Sequence, residues 1–303
     1  VADKPNKEEL VKAYHDCTSC LIRQTVEASR LATSDVRLQE EILRATLETL
    51  ATISFDKTPA HMAREVHRLV QSMSCNPDPY KEVKHRANLT ARAARCAYWD
   101  KLPAIAKSLE KAALLAIAGN AMDIGPKSGE DNLDIWSVID RVLSSGIDMN
   151  PLRGLERACR RARQILYLGD NAGEIVLDRI LIEMLPVDRI TYVVKAKPVL
   201  NDATMADAEY AGLTEIVEVI DNGSDAPGTI LESCSNEFRV RFETSDVVIA
   251  KGQANYETLS ESGKRGLYFV LLVKCPVLAR DLGCNVCEII IRNAVPTLLE
   301  TVP

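Results

Sequence analysis

Hydrophobic positions along this chain follow two different periods, and the change between them falls near its middle. Over 11–31, 35–51, 59–72, 79–100 and 103–119 apolar residues recur at helical spacing, with prolines at starts and breaks and few β-branched runs between. A glycine- and proline-bearing loop covers 125–129, after which helical spacing resumes over 135–144. From 164 onward, short β-branched runs alternate with helical stretches, giving strands at 165–168, 190–195, 216–220, 246–250, 268–273 and 288–292. That alternation is the mark of a parallel sheet with crossover helices, so the pattern predicts an α/β protein. Its helical domain spans 1–150 and its sheet domain 151–303, divided near Asn150 and Pro151. No internal repeat or low-complexity segment interrupts either part.

If the strands are parallel, the loops after the first four lie on one edge of the sheet. They carry Asp170 and Asn171, then Asn201 and Asp202, then Asp221, Asn222 and Gly223, then Lys251, Gly252 and Asn255. The first of these loops, within Tyr-Leu-Gly-Asp-Asn-Ala-Gly-Glu at 167–174, reads as a strand-to-helix corner. The helix predicted over 172–185 places Ile175, Val176, Ile180, Leu181, Met184 and Leu185 on one face and Glu174, Asp178, Arg179 and Glu183 outside it. Ligands of open α/β sheets bind at such corners, where strand ends and helix amides converge.

Asp170, Asn171 and Asp202 offer hard oxygen ligands with no imidazole or thiolate nearby, a set that suits magnesium or manganese. The histidines, His15, His61, His67 and His85, all lie in the helical half. The plainer alternative is that Asn171, with Glu174, and Asp202, before a helix at 203–210, are helix caps. Two successive strand ends with the same chemistry favour a shared metal. Lys251 closes the fourth strand, where its ammonium would meet phosphate oxygens or simply be solvated. Gly252 would permit close backbone approach there, and Asn255 adds a polar group. Gly223 and Gly228 read either as a phosphate-facing loop or as a turn. Gly119, Asn120 and Asp123 end an apolar helix: either Gly119 is a C-cap, or Asn120 and Asp123 reach across to contact substrate at the sheet edge.

Composition narrows the partners. A hydrophobic share of 47% with 26% charged residues fits a soluble globular protein, and no apolar run reaches membrane-spanning length. The polar start is unlike a signal peptide, so a cytoplasmic protein without a membrane partner is expected. A net charge of -6 argues against nucleic-acid binding while leaving room for a small phosphate pocket. Nine cysteines, an odd count, point to thiols rather than a disulfide framework. Two CxxC pairs, Cys17 with Cys20 and Cys284 with Cys287, stand far apart in sequence. They are read as buried or free thiols, with zinc at Cys17 and Cys20, beside His15, as the alternative.

Four motifs in this order, Gly-Asn-Ala-Met-Asp at 119–123, Gly-Asp-Asn-Ala-Gly-Glu at 169–174, Lys-Ala-Lys-Pro-Val-Leu-Asn-Asp at 195–202 and Lys-Gly-Gln-Ala-Asn-Tyr at 251–256, resemble the damage-control phosphatase family. That family is also called ARMT-like, after a proposed acidic-residue methyltransferase, and the likeness is to its prokaryotic and archaeal branch with an N-terminal CxxC. The resemblance implies a helical N-terminal domain packed on a Rossmann-like α/β/α domain with a mainly parallel sheet. It implies metal-dependent hydrolysis of small phosphorylated metabolites, such as sugar phosphates or damaged phospho-metabolites, with magnesium, manganese, cobalt or nickel as the divalent ion. Carried over by residue, its metal ligands fall on Asp170, Asn171 and Asp202, and its phosphate-contacting lysine on Lys251. The pair Cys284 and Cys287 is outside the family pattern. Either a metal-oriented water or Asp170 itself would attack the phosphoryl group. A rival function is S-adenosylmethionine-dependent carboxyl methyl transfer, against which the 169–174 corner lacks clustered glycines. A non-catalytic metabolite-binding protein is the third reading. The sequence leaves the oligomeric state open.

Overall fold

A computed structural model of the chain describes residues 13–121 and 135–295. Asp123 lies outside them, so the expectation attached to it has no structural counterpart here. Helices fill the first part: α1 (His15–Ala32), α2 (Val36–Thr52), α3 (Pro59–Ser74), α4 (Lys81–Arg95), α5 (Leu109–Ala121), α6 (Ile135–Ser145) and α7 (Met149–Arg161). Local signals set several ends. The Asp35 carboxylate accepts from the Arg37 amide at 2.9 Å to cap α2, Pro59 opens α3, and Cys75 closes it in the left-handed region. The helix expected over 79–100 ends at Arg95 and passes into a π turn, Cys96–Asp100.

Six strands follow: β1 (Ile165–Leu168), β2 (Ile190–Val194), β3 (Glu218–Asp221), β4 (Val247–Lys251), β5 (Leu267–Leu272) and β6 (Ile289–Asn293). They interleave with α8 (Glu174–Ile182), α9 (Met205–Tyr210), α10 (Asn236–Thr244), α11 (Gly252–Leu259) and α12 (Pro276–Leu282). The sheet order is β3-β2-β1-β4-β5-β6, parallel except for β6 against β5. Strand order reverses between β1 and β4, so the crevice at their C-terminal ends is the topological switch point.

Both faces of the sheet are covered, which explains strands that are apolar without alternation. Ile165 and Tyr167 join one apolar cluster with α4 to α8, and Leu166 and Leu168 join the other with α10 to α12. Helix α5 is apolar all round because it is buried all round: Ala112 to Ala118 are no more than 4% exposed. The expected boundary at 150–151 falls inside α7. Pro151 sits in that helix's first turn, where its missing N–H costs nothing, behind an Asp148 cap.

Helices α1 to α3 have small cores of their own, one around Leu21, Met62 and Val66 and one around Ala28, Ile42, Val70 and Tyr80. Helix α3 then lies across the loops at the sheet's C-terminal edge. Arg68 forms two hydrogen bonds to Asp225, at 2.7 and 2.8 Å, and the Gln71 amide donates to the Pro198 carbonyl at 2.9 Å. Among the described residues no helix is long and apolar enough to cross a membrane.

His67 of α3 is buried 3.4 Å from the Gln24 side-chain oxygen and edge-on to Tyr80. Burial lowers its pKa to about 4. The unfolded chain therefore takes up a proton below about 6.5 that the folded chain refuses until about 4. Stability present above pH 6.5 should fall by up to about 3 kcal/mol as the pH drops through that window. Urea unfolding at pH 7 and pH 4.5 should show this loss in the wild type and a smaller one in His67→Gln; equal losses would show that His67 is not the titrating group.

Candidate active site

Backbone pairing builds the site before any side chain does. The loop after β1 and the loop after β2 run antiparallel: the Ala172 amide donates to the Asn201 carbonyl, and the Ala203 amide to the Asp170 carbonyl, each at 2.8 Å. Asn171 and Asp202 form an isolated bridge between them. The three residues expected to share a cation, Asp170, Asn171 and Asp202, are thus brought together at the switch point, each no more than 6% exposed.

The capping alternative does not describe either residue. The N-cap of α8 is Gly173, and the Asn171 amide nitrogen instead points at Asp170 Oδ2, 2.9 Å, and Glu174 Oε2, 3.3 Å. Helix α9 is capped by Thr204, whose amide and hydroxyl both donate to Asp207 Oδ2 at 2.8 Å. Asn171 and Asp202 are therefore buried at the strand ends without a capping task to explain them.

Asn120 reaches the site from α5, as one reading of its motif expected. Its amide donates to Asp170 Oδ2 at 2.9 Å and Glu174 Oε2 at 3.0 Å, and its buried Oδ1 accepts no hydrogen bond from the described residues. Gly119 is a helical residue, not a cap. A Cβ there would stand 2.9 Å from the Glu174 Cα, so glycine lets α5 lie against α8.

Lys251 departs from expectation. Its ammonium is fully buried and faces Glu174 Oε1 and Asp178 Oδ1, with the Ala116 carbonyl at 3.1 Å as its third acceptor. Glu174 and Asp178, one turn apart on a helix buried on all sides, draw it inward, away from the cleft. Burial works against its charge, but the carboxylates of Asp178 and Glu174 raise its pKa above the usual lysine range. Asp178, pushed up to about 6 by burial against the pull of Lys251, also accepts from Tyr167 and Tyr192 at 2.8 and 3.0 Å. Burial, then Asp178, holds both phenols well above their usual pKa, so they stay donors.

The lysine beside the metal candidates is Lys195, which sequence reasoning passed over although it opens a quoted motif. It is buried, donates to the Gly228 carbonyl, and lies 3.5 Å from Asp202 Oδ2. Asn255 also differs from expectation. Its amide donates to the Gly169 and Lys251 carbonyls and its Oδ1 accepts from Thr229, so it braces the loops after β1 and β3 against the start of α11. Glu174 and Asp178 were legible as two acids one turn apart opposite a strand-end lysine. Their inward orientation was not, because the sequence put them off the apolar face.

Glycine 252 fixes the carboxylate. A Cβ there would lie 1.8 Å from Asp170 Oδ2, and its φ of +76° disfavours other residues. The close approach this glycine allows is that of Asp170. All nine cysteines are free thiols. Cys17 and Cys20 are half-buried at the start of α1, where Asp16 pairs with Arg280 of α12 at 2.8 Å, and burial raises the Cys17 thiol pKa.

As a cation site the arrangement passes two tests. Asp170, Glu174, Asp178 and Asp202 gather as buried acids, and among the described residues Lys195 and Lys251 are the lysines paired to members of the group. Among the described residues the buried Asn120 Oδ1 is an acceptor without a donor. Among the described residues no three His, Cys, Asp or Glu side chains gather as a metal cluster, so an ion here must take the Asn171 amide as well.

The chain belongs to the damage-control phosphatase ARMT1-like domain family, whose model matches residues 13–290. It is 38% identical over 292 residues to an uncharacterized protein of Methanocaldococcus jannaschii, covering 92% of this chain and 94% of that one. To a damage-control phosphatase of Archaeoglobus fulgidus it is 31% identical over 282 residues, 91% and 97% of the two chains. A crystal structure of a DUF89 family protein from Pyrococcus horikoshii superposes with a TM-score of 0.84 at 30% identity, over 94% of this chain and 99% of that one.

Two substitutions probe this geometry. Gly252→Ala should displace the Asp170 carboxylate and weaken Mn2+ binding, read by electron paramagnetic resonance, by tenfold or more, about the cost of losing a group that orients a metal ligand. Lys251→Met should cost roughly 3–5 kcal/mol in urea unfolding, because it strands buried carboxylates. A Lys251→Met protein as stable as the wild type would return that lysine to a solvent-facing role.

Proposed function

We propose that this chain is a metal-dependent phosphatase acting on small phosphorylated metabolites, with Asp170, Asn171 and Asp202 as the ligands of one divalent cation. The observation that carries the reading is the paired loops after β1 and β2, which gather these three groups at the switch point of the sheet. A bound dication would supply Lewis-acid polarisation of the phosphoryl group and a water of lowered pKa.

The protein's own residues do the remaining work. Asn120 and Asn171 hold Asp170 Oδ2 through amide donors, which orients the carboxylate without adding charge. Lys251 sits behind Glu174 and fixes it, acting through that carboxylate rather than on the substrate. Lys195, beside Asp202, is the cation placed to offset charge developing on a transferred phosphoryl group. A cleft of about 550 Å³ opens between α3 and the loops after β2 and β3, lined by Arg68, Gln71, Lys197 and Asp225 among others. Its size suits a sugar-phosphate-sized ligand, and Arg68 and Lys197 on a mainly apolar lining would meet an anionic group.

Methyl transfer is less compatible with the corner. The glycines that would admit a cofactor are filled by protein: a Cβ at Gly169 would be 2.3 Å from the Tyr192 hydroxyl, and one at Gly173 would be 3.0 Å from the Ala87 Cβ.

Asp170→Asn is the direct test. It should fold as well as the wild type, since the corner is held by backbone amides and loses one charge from a negative cluster. Phosphate release from a panel of phosphorylated metabolites with added Mg2+, Mn2+, Co2+ or Ni2+ should fall by at least the ~100-fold that loss of a mere supporting group can cost. Asp170→Asn protein with wild-type metal-stimulated turnover would refute this site.

A further inference from the structure

One side chain of α4, unremarked in the sequence, bonds to the helix starts that follow both ligand-bearing loops. Asn88 is 3% exposed in mid-helix. Its Oδ1 accepts from the Gly173 amide at 2.6 Å, and its amide nitrogen donates to Asp207 Oδ1 at 2.7 Å. Gly173 caps α8 two residues after Asn171, with φ at +79°. Asp207 holds the cap of α9 through Thr204, two residues after Asp202. A single amide thus spans the corner that carries Asp170 and Asn171 and the corner that carries Asp202. Ala87, its neighbour, is close enough to Gly173 that a Cβ there would meet it at 3.0 Å, so α4 bears on that turn directly.

Resting on the metal-site reading above, we infer that Asn88 is a positioning residue for the cation: it fixes the separation of Asn171 from Asp202 without touching either. The choice of side chain follows from charge. The site already gathers several buried carboxylates, and an amide both accepts from Gly173 and donates to Asp207 while adding no charge. An aspartate at 88 would satisfy Gly173 but set a second carboxylate against Asp207. A leucine would strand a buried amide on one side and a buried carboxylate oxygen on the other.

The pair can be inverted. In Asn88→Asp with Asp207→Asn, the carboxylate at 88 still accepts from Gly173 and now accepts from the amide at 207. The carbonyl at 207 still accepts from Thr204. Mn2+ binding by electron paramagnetic resonance, with folding followed by circular dichroism, should show a loss of affinity of about 10- to 100-fold in Asn88→Ala and Asn88→Asp. The double variant should recover to within a few fold of the wild type, the mark of a coupled pair. At saturating Mn2+ the KM for a phosphorylated substrate should stay unchanged, since Asn88 faces the ligand loops and not the substrate cleft. A folded Asn88→Ala that binds Mn2+ as the wild type does would overturn the inference. If Asn88→Ala does not fold, a folded double variant with weak Mn2+ binding would overturn it equally. Wild-type protein that binds no Mn2+ would sink the metal site itself, and this inference with it.

Discussion

A cluster of buried acids gathers at the ends of β1 and β2, and most of the local architecture can be understood as a response to that. Two like charges 4 Å apart repel by roughly 4 kcal/mol at an effective dielectric of ~20. The five buried carboxylates of Asp170, Glu174, Asp178, Asp202 and Asp207 therefore need support that does not itself add charge. Lys251 neutralises one side, locked between Glu174 and Asp178 on α8. The rest comes from neutral donors. Asn120 and Asn171 donate to Asp170 and Glu174, Tyr167 and Tyr192 donate to Asp178, and Asn88 donates to Asp207. Amides and phenols satisfy carboxylate lone pairs without adding charge of their own.

Much of the architecture was legible in the residues. Each predicted strand lies within two residues of an observed one, because a doubly covered parallel sheet writes itself as short runs of apolar and β-branched residues. The corner at 169–174 and the loop at 195–202 were legible for a second reason: polar residues at strand C-termini have few structural tasks, and here capping turns out not to be one of them. What stayed hidden depends on side-chain direction. A helix buried on every side has no polar face, so Glu174 and Asp178 were assigned to solvent and Lys251 to a substrate, when the three had found each other. Asn88 gave no signal at all, being one polar residue in a helix whose partners lie far along the chain.

The glycines carry a related lesson. In sequence Gly252 reads as backbone held open for close approach, Gly119 as a helix cap and Gly169 as the end of a strand. In the structure the missing side chains are replaced by protein atoms: the Tyr192 hydroxyl against Gly169, Ala87 against Gly173, Glu174 against Gly119 and the Asp170 carboxylate against Gly252. Glycine is used here for dense packing of charged and polar groups around one corner. The cost in backbone freedom, about 0.5–1 kcal/mol at each such residue relative to alanine, is small beside the energies of the ion pairs it allows to form.

This division of space separates two tasks that a phosphatase of metabolites must perform. The groups that orient the candidate ligands come from α4, α5 and α8, which share one apolar cluster with the sheet. The lining of the adjacent cleft comes from α3, whose helical neighbours have separate small cores, and from the outer side of the 195–202 loop. On the proposed reading, substitutions at Arg68, Gln71 or Lys197 alter which phosphate ester fits while the carboxylates keep their own hydrogen bonds. A centre braced by one core beside a wall with another is an arrangement in which the chemistry stays fixed while the substrate changes.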